Sequence, residues 1–309
     1  MSGFEVLNPG ILSTYQDLGR VGYGSIGVAP SGVMDEEAYN YLNLLLDNPY
    51  GTNALEILLG GVKLKALSDT QIALTGAKSQ IRINQKEVNN WRVLNIKKGD
   101  ILEIGFAKEG VRIYLGVKGG FDIAKSFGSC STNIKEGIGE KPLKKGDIVP
   151  FTCKGFSNSL KTLKSNFIPK YKNEVELRVV LGYQKDMFTK KQKELFFSST
   201  YTVTSQNDRM GYRLSGEKIQ PSQNGIISEA ISFGAIQIPS HGEPIVLLKE
   251  RQTIGGYPKI GSVIPVDCFK LAQAKQNDIV KFKEITKEEG VNRCREFYTF
   301  FKKAVLPKV

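Results

Sequence analysis

Between Asn207 and Pro258 the chain carries Asp208, Arg209, Glu229, Gln237, Glu250, Arg251 and Gln252 on segments that otherwise read as strands, with Ile226, Ile231, Ile236, Ile238, Ile245 and Leu247 supplying the apolar alternation. Polar groups on β-structure lose water when they are buried, so each must find a partner or face a cavity. Single residues of this kind are ordinary on solvated strand faces. As a set they read as the lining of a pocket, with ionic groups to bind charge and carboxamides to match donors and acceptors.

The residue inventory narrows the chemistry. The one histidine, His241, lies in the turn S-H-G-E-P and reads as an exposed loop residue, which excludes sites needing two histidines and leaves a Ser-His-Asp triad no second choice. The four cysteines, Cys130, Cys153, Cys268 and Cys294, lack C-x-x-C spacing, so neither zinc nor disulfides are expected. Gly22-Tyr23-Gly24-Ser25-Ile26-Gly27 matches G-x-G-x-x-G as a string, but Ala29-Pro30-Ser31-Gly32 follows where a helix should receive a pyrophosphate. The net charge of +12 comes from lysines spread along the chain, without a nucleic-acid motif. Such a balance suits anionic small molecules or an acidic partner. No apolar run is long enough to span a bilayer and no signal segment is evident, so a cytoplasmic location without membrane contact is expected.

The elements that must position these residues read as short strands between glycine or asparagine turns, the pattern of barrels or sandwiches. The 309 residues suit two domains. The halves echo each other: A-L-E-I-L-L-G-G-V-K-L from Ala54 with I-S-E-A-I-S-F-G-A-I-Q-I from Ile227, T-Q-I-A-L-T with E-P-I-V-L-L, and K-K-G-D-I-L-E-I from Lys97 with K-Q-N-D-I-V-K-F from Lys275. The order is preserved at offsets of roughly 175 residues, which points to duplication rather than a solenoid. Three helices are expected, starting near Met34 and stopping at Asp47-Asn48-Pro49, at Thr189 through Leu195, and from Thr286 with Val291, Cys294, Phe297 and Phe301 on one side. The Ser-, Lys- and Asn-rich stretch from Phe156 to Asn173 reads as the connection, giving domains 1–165 and 166–309, the latter ending in a helix.

The run Y-Q-D-L-G-R-V-G-Y-G-S-I-G-V-A-P-S-G-V-M-D from Tyr15 to Asp35, with Asn43, Asn48, A-L-E at 54–56, A-L-T-G-A at 73–77 and G-S-C-S-T at 128–132, resembles a known family. So do D-R-M-G from Asp208, Ser228-Glu229, G-A-I-Q from Gly234, and Q-T with G-G-Y-P from Gln252. The family is variously called allophanate hydrolase subunit 2-like, biotin-dependent carboxyltransferase or the C subunit of 5-oxoprolinase. The resemblance implies a mainly β chain of two tandem cyclophilin-like β-barrel domains with a few short helices.

It also implies work in a complex, beside a smaller subunit of related cyclophilin-like fold and a lactam-utilisation-type subunit, opening a small anionic amide, 5-oxoproline, to glutamate. ATP with Mg would be used at the level of that complex, with no metal site of this chain's own. Two alternatives are carried by related proteins: carboxyl transfer from biotin in a urea carboxylase or allophanate hydrolase type of system, and non-catalytic antagonism of a histidine-kinase inhibitor. Carried onto this sequence, the resemblance places Asp208, Arg209 and Glu229 as catalytic residues, Arg209 pairing with a carboxylate or phosphate and either acid orienting water or magnesium. Gln237, Gln252, Thr253 and Tyr257 would bind the amide, and Gly255 and Gly256 would let the backbone approach it. Gln16, Asp17, Arg20 and Asp35 would line the same cleft, Asp35 being equally suited to cap a helix. The chain departs from the family's usual residues at Asn207, Ala230, Ile254 and Tyr183, where serine, glycine, threonine and proline are common. These changes bear on the substrate more than on the fold.

Overall fold

The computed structural model describes residues 2–156, 160–223 and 225–303. They fall into two compact units, one from Met1–Arg20, Asp35–Tyr171 and Phe300–Val309, the other from Val21–Met34 and Lys172–Thr299.

The first unit contains β1 (Gly3–Pro9), β2 (Leu12–Gln16), α1 (Glu36–Leu45), β3 (Ala54–Leu58), β4 (Val62–Ala66), β5 (Thr70–Ile83), β6 (Lys86–Val88), β7 (Val93–Ile96), β8 (Ile101–Val117) and β9 (Ile148–Pro150). These strands form one nine-stranded sheet with the path β2-β3-β8-β4-β1-β9. The long strand β8 organises it, pairing with β4 through Ile101–Ile104, with β3 through Arg112–Leu115, and with β5 along its other edge. Period-two alternation drives one face inward: in β4, Val62, Leu64 and Ala66 are buried while Lys63 and Lys65 are exposed. The core gathers Phe4, Val6, Leu55, Ile57, Leu64, Ile72, Leu74, Ile113 and Leu115. At Gly76 the ladder between β5 and β8 changes register; its φ of 85° and a would-be Cβ 2.3 Å from the Arg112 carbonyl oxygen leave room for glycine alone.

The second unit contains β10 (Glu174–Leu181), α2 (Lys190–Ser198), β11 (Thr200–Asn207), β12 (Gly211–Ser215), β13 (Glu229–Ala230), β14 (Ala235–Gln237), β15 (Ile245–Leu247), β16 (Ile254–Gly255), β17 (Lys259–Val263), α3 (Pro265–Leu271), β18 (Ile279–Glu284) and α4 (Lys287–Lys303). Seven strands close into a barrel in the order β10-β17-β14-β15-β12-β11-β18, sealed by parallel pairing of β18 with β10. Its interior holds Leu177, Val179, Tyr201, Val203, Tyr212, Val246, Ile260 and Val280, together with Met34 from the early segment. Among the described residues, strands β13 and β16 pair only with each other, as a separate two-stranded ribbon. The chain is thus mainly β with few helices, with a closed barrel in the second unit and a sheet curled into a half-barrel in the first.

Helix starts follow their caps. Asp35 accepts from the Glu37 and Ala38 amides at the start of α1, Thr189 from Gln192 at α2, and Thr286 and Glu289 exchange hydrogen bonds ahead of α4. Helix α3 has no counterpart among the expected helices; with seven residues it is too short to display an apolar period. Within the expected connection, residues 157–159 lie outside those described. The stretch after them runs beside β7: the Val93 amide donates to the Lys161 carbonyl at 2.8 Å and the Leu163 amide to Trp91 at 2.9 Å, while the Lys161 ammonium pairs with Asp47.

Candidate functional site

The ribbon in the second unit sets Glu229 opposite Gly255 and Ala230 opposite Ile254, and is extended by Ile226 N–H to Gly256 O at 2.8 Å and Ile231 N–H to Thr253 O at 3.1 Å. On the barrel, Gln237 of β14 lies directly across from Lys259 of β17. Both are buried, at 1% and 8% exposure. A Cβ on Gly255 would come within 2.8 Å of Gln237 Nε2, 2.6 Å of Ile231 Cδ1 and 3.5 Å of Gln252 Nε2, so two carboxamides converge where the ribbon backbone comes closest. The absent side chain is what permits that approach. Among the described residues Gln237 Nε2 has no hydrogen-bond partner. A buried amide donor left this way favours any acceptor delivered to it.

Glu229 is held from three sides. Gln184 Nε2 donates to its Oε1 at 2.8 Å, the Lys259 ammonium contacts the same oxygen, and the Tyr183 hydroxyl hydrogen-bonds to the carboxylate. Gln184 is itself fixed, its Oε1 accepting from the Lys259 backbone amide at 2.7 Å. The hydrogen bond from Lys259, followed by that from Tyr183, holds the Glu229 carboxyl below its ordinary value. It is therefore ionised near neutrality, suited to orienting water or a cation and too weak a base to remove protons from a poor acid. Thr253 and Gly256 extend the ribbon through their carbonyls, and Tyr257 follows it, 43% exposed.

Asp208 and Arg209 belong to another network of the same unit. Asp208 shapes the turn between β11 and β12, its Oδ1 accepting from the Met210 amide at 2.7 Å and the Gly211 amide at 3.2 Å. Arg209 Nε donates to Glu250 Oε1 at 2.6 Å, and Nη2 to the Gly32 carbonyl at 2.6 Å. Ser31, fully buried with φ of 53°, donates from Oγ to the same Glu250 oxygen at 2.9 Å. The guanidinium fork thus fastens residues 31–32 onto residues 249–250.

In the first unit the four expected site residues are bonded internally. Gln16 donates to Thr14 Oγ1 at 3.1 Å and to the Thr132 carbonyl at 2.9 Å. Asp17 accepts from Gly19, Ser129, Cys130 and Ser131, and Arg20 donates to the Ser126 and Ser131 carbonyls, so both tie down the loop that carries G-S-C-S-T. Asp35 caps α1 with Oδ1 and accepts from Tyr171 OH at 2.8 Å with Oδ2. Its amide donates to Tyr114 OH, which donates in turn to Glu56 Oε2, both at 2.8 Å. The structure therefore assembles Glu229, Gln237, Gln252 and Gly255, and adds Lys259, Gln184 and Tyr183, which the sequence pattern does not single out as site residues. Lys259 directly follows G-G-Y-P and Gln184 follows the Gly182-Tyr183 corner after β10. In a lysine-rich chain neither position stands out.

A family model described as "Carboxyltransferase domain, subdomain A and B" matches residues 26–284. The chain belongs to that carboxyltransferase-domain family. It is 32% identical over 302 residues to the C subunit of 5-oxoprolinase from Escherichia coli K12, covering 96% of each chain. It is 30% identical over 313 residues to the urea amidolyase of Saccharomyces cerevisiae, covering 94% of this chain and 17% of that one. Among solved structures, Kluyveromyces lactis urea carboxylase matches all of this chain with a TM-score of 0.90 at 26% identity, and the chain spans 30% of that protein's length.

Proposed function

We propose that this chain is a subunit of a 5-oxoprolinase-type complex and supplies the surface on which the lactam is recognised. The observation that carries this reading is the convergence of Gln237 and Gln252 on Gly255 beside the Glu229–Lys259 pair. A lactam presents one acceptor and one donor on adjacent atoms, which two carboxamides can match. The similarity to a 5-oxoprolinase C subunit, which extends over 96% of each chain, supports this reading.

In this reading Gln237 Nε2 donates to the ring carbonyl oxygen, Gln252 accepts from the ring N–H, Glu229 orients the attacking water, and Thr253 and Tyr257 border the ligand. ATP with Mg supplies the activation that a resonance-stabilised amide needs. The donors here are Lys259 and the carboxamides, with no phosphate-binding loop at a helix start. No group of three or more His, Cys, Asp or Glu side chains among the described residues could hold a metal. In this reading the nucleotide is used by the assembled complex, beside the smaller related subunit and the lactam-utilisation-type subunit. Arg209 and Asp208 support the site's frame.

The test is reconstitution with those two subunits, following glutamate release from 5-oxoproline and ATP. Gln237→Ala should lower kcat/KM by about 100-fold, the loss expected when one preorganised donor to the reacting carbonyl oxygen is removed. Unchanged turnover in Gln237→Ala would sink the assignment. The family model and the urea carboxylase match favour a second reading, carboxyl transfer from a biotin carrier on a separate protein. That reading requires the carrier, whereas lactam opening proceeds in its absence.

A further inference from the structure

The cation of the Glu229–Lys259 pair is the buried member and the anion the accessible one: the lysine side chain is 10% exposed and the glutamate 31%. An ammonium removed from water needs a counter-charge beside it. Beyond its contact with Glu229, the Lys259 nitrogen makes no hydrogen bond among the described residues. The two partners also differ in how firmly they are mounted. Lys259 begins β17, a strand of the closed barrel, and its backbone amide is fixed by Gln184 at 2.7 Å. Glu229 sits on a ribbon of two paired residues outside the barrel, beside Ile254 at 60% and Ile227 at 93% exposure. A fixed, desolvated cation is thus covered by a carboxylate on the more weakly supported element.

We propose that Lys259 is the receptor for the ligand's carboxylate, and that Glu229 occupies it as an internal substitute until the ligand arrives. This deepens the lactam reading and rests on it for the identity of the ligand. Exchange of one carboxylate for another leaves the charge around Lys259 unchanged, so the cation is never bare. It also frees Glu229 to orient water only once ligand is bound. The neighbouring donor sets the ligand class: Gln237 faces Lys259 across the ladder, so the best fit is a carboxylate with an amide carbonyl close by, as in an N-acyl α-amino acid closed into a ring.

Because Glu229 competes with the ligand, it lowers the apparent affinity by the fraction of time it covers Lys259. Binding of 5-oxoproline, acetate and the neutral lactam 2-pyrrolidinone to the full chain, followed by ligand-observed NMR, reads this competition. Glu229→Gln should tighten 5-oxoproline and acetate by about tenfold and leave 2-pyrrolidinone unchanged. Lys259→Met should abolish the preference for carboxylates. Tyr183→Phe, at an exposed position where folding is not at risk, removes one restraint on Glu229 and should tighten both carboxylates by about two- to threefold. Acetate should raise the melting temperature of Glu229→Gln more than that of the unaltered chain. Weaker carboxylate binding in both Glu229→Gln and Tyr183→Phe, or unaltered binding in Lys259→Met, overturns the proposal. If the acetate pattern holds while 5-oxoproline binds no better than acetate, the receptor stands and the lactam reading falls.

Discussion

At the scale of single residues, the proposed reading gives Gly255 a part in recognition and Arg209 a part in support, and substitutions tell the two apart. Gly255→Ala pushes a methyl group against Gln237 and Ile231, both able to yield at their side-chain ends, so the stability loss should be about 1 kcal/mol or less. Turnover by the complex should fall about 10- to 100-fold, because the converging carboxamides are displaced. Arg209→Ala should do the reverse: it leaves Glu250, 7% exposed, without its guanidinium and should lower unfolding stability by about 3 kcal/mol in a denaturant titration. Arg209→Lys keeps the charge but not the fork, and should fall between. If Arg209 gripped substrate instead, Arg209→Lys would raise KM while leaving the denaturation midpoint in place. The polar interruptions in the strand pattern made Glu229, Gln237 and Gln252 readable as a set. What the sequence did not disclose was allegiance. Arg209 has the chemistry of an anion clamp, yet its partners, Gly32 and Glu250, lie far from it along the chain and only folding reveals them.

At the scale of elements, two of the echoing segments form the same turn, which Lys144-Lys145-Gly146-Asp147 also forms, so the turn by itself does not mark a duplication. Lys97-Lys98-Gly99-Asp100 and Lys275-Gln276-Asn277-Asp278 each close with the aspartate amide donating to the lysine carbonyl, at 3.0 and 3.1 Å, and the lysine amide donating to the carboxylate, at 2.8 and 2.7 Å. The third residue has positive φ in both, glycine in one copy and asparagine in the other. Asn277→Val should therefore cost about 1 to 2 kcal/mol in thermal unfolding, since a β-branched residue resists that conformation. Capped helices were legible because Asp35, Thr189 and Thr286 mark their starts. Helix α3 was not, and it carries a buried ionic hub: Asp267 accepts from the Arg178 amide at 2.9 Å, from Arg178 Nε at 2.7 Å and Nη2 at 2.8 Å, and from Lys270 at 2.8 Å. Burial alone would raise the Asp267 carboxyl, but the hydrogen bonds from Arg178 and the charge of Lys270 outweigh it and hold the carboxyl below its ordinary value. A lowered carboxyl stabilises the fold fully above the unfolded value near pH 4 and progressively less as pH falls toward the folded value. Asp267→Asn should thus be less stable by about 3 kcal/mol at neutral pH, with a shallower decline in acid, read from melting temperatures between about pH 7 and 3.

At the scale of the whole molecule, the twofold strand pattern pointed to two units, but not to which chain segments build each one. Residues 21–34 read as a glycine-rich loop of the first half, and they belong with the second unit, where Met34 enters the core and Ser31 meets Glu250. Local patterning carries no information about such a long-range assignment. A fragment of residues 172–299 alone should therefore melt at a lower temperature than the same unit within the intact chain. A synthetic peptide of residues 21–34 should restore part of the loss in a concentration-dependent way. No effect of the peptide would show that the early segment contributes nothing to the barrel's stability.

That early segment has a consequence for the order in which the chain is made. Residues 21–34 leave the ribosome roughly 140 residues ahead of the polypeptide they will join, a wait on the order of ten seconds at typical translation speeds. Tyr41 waits longer still for Phe301, whose ring comes to rest 4.8 Å from its own. Neither half can mature strictly in step with its synthesis, and a nascent chain stalled near residue 171 should expose its early strap to protease in a way the finished protein does not.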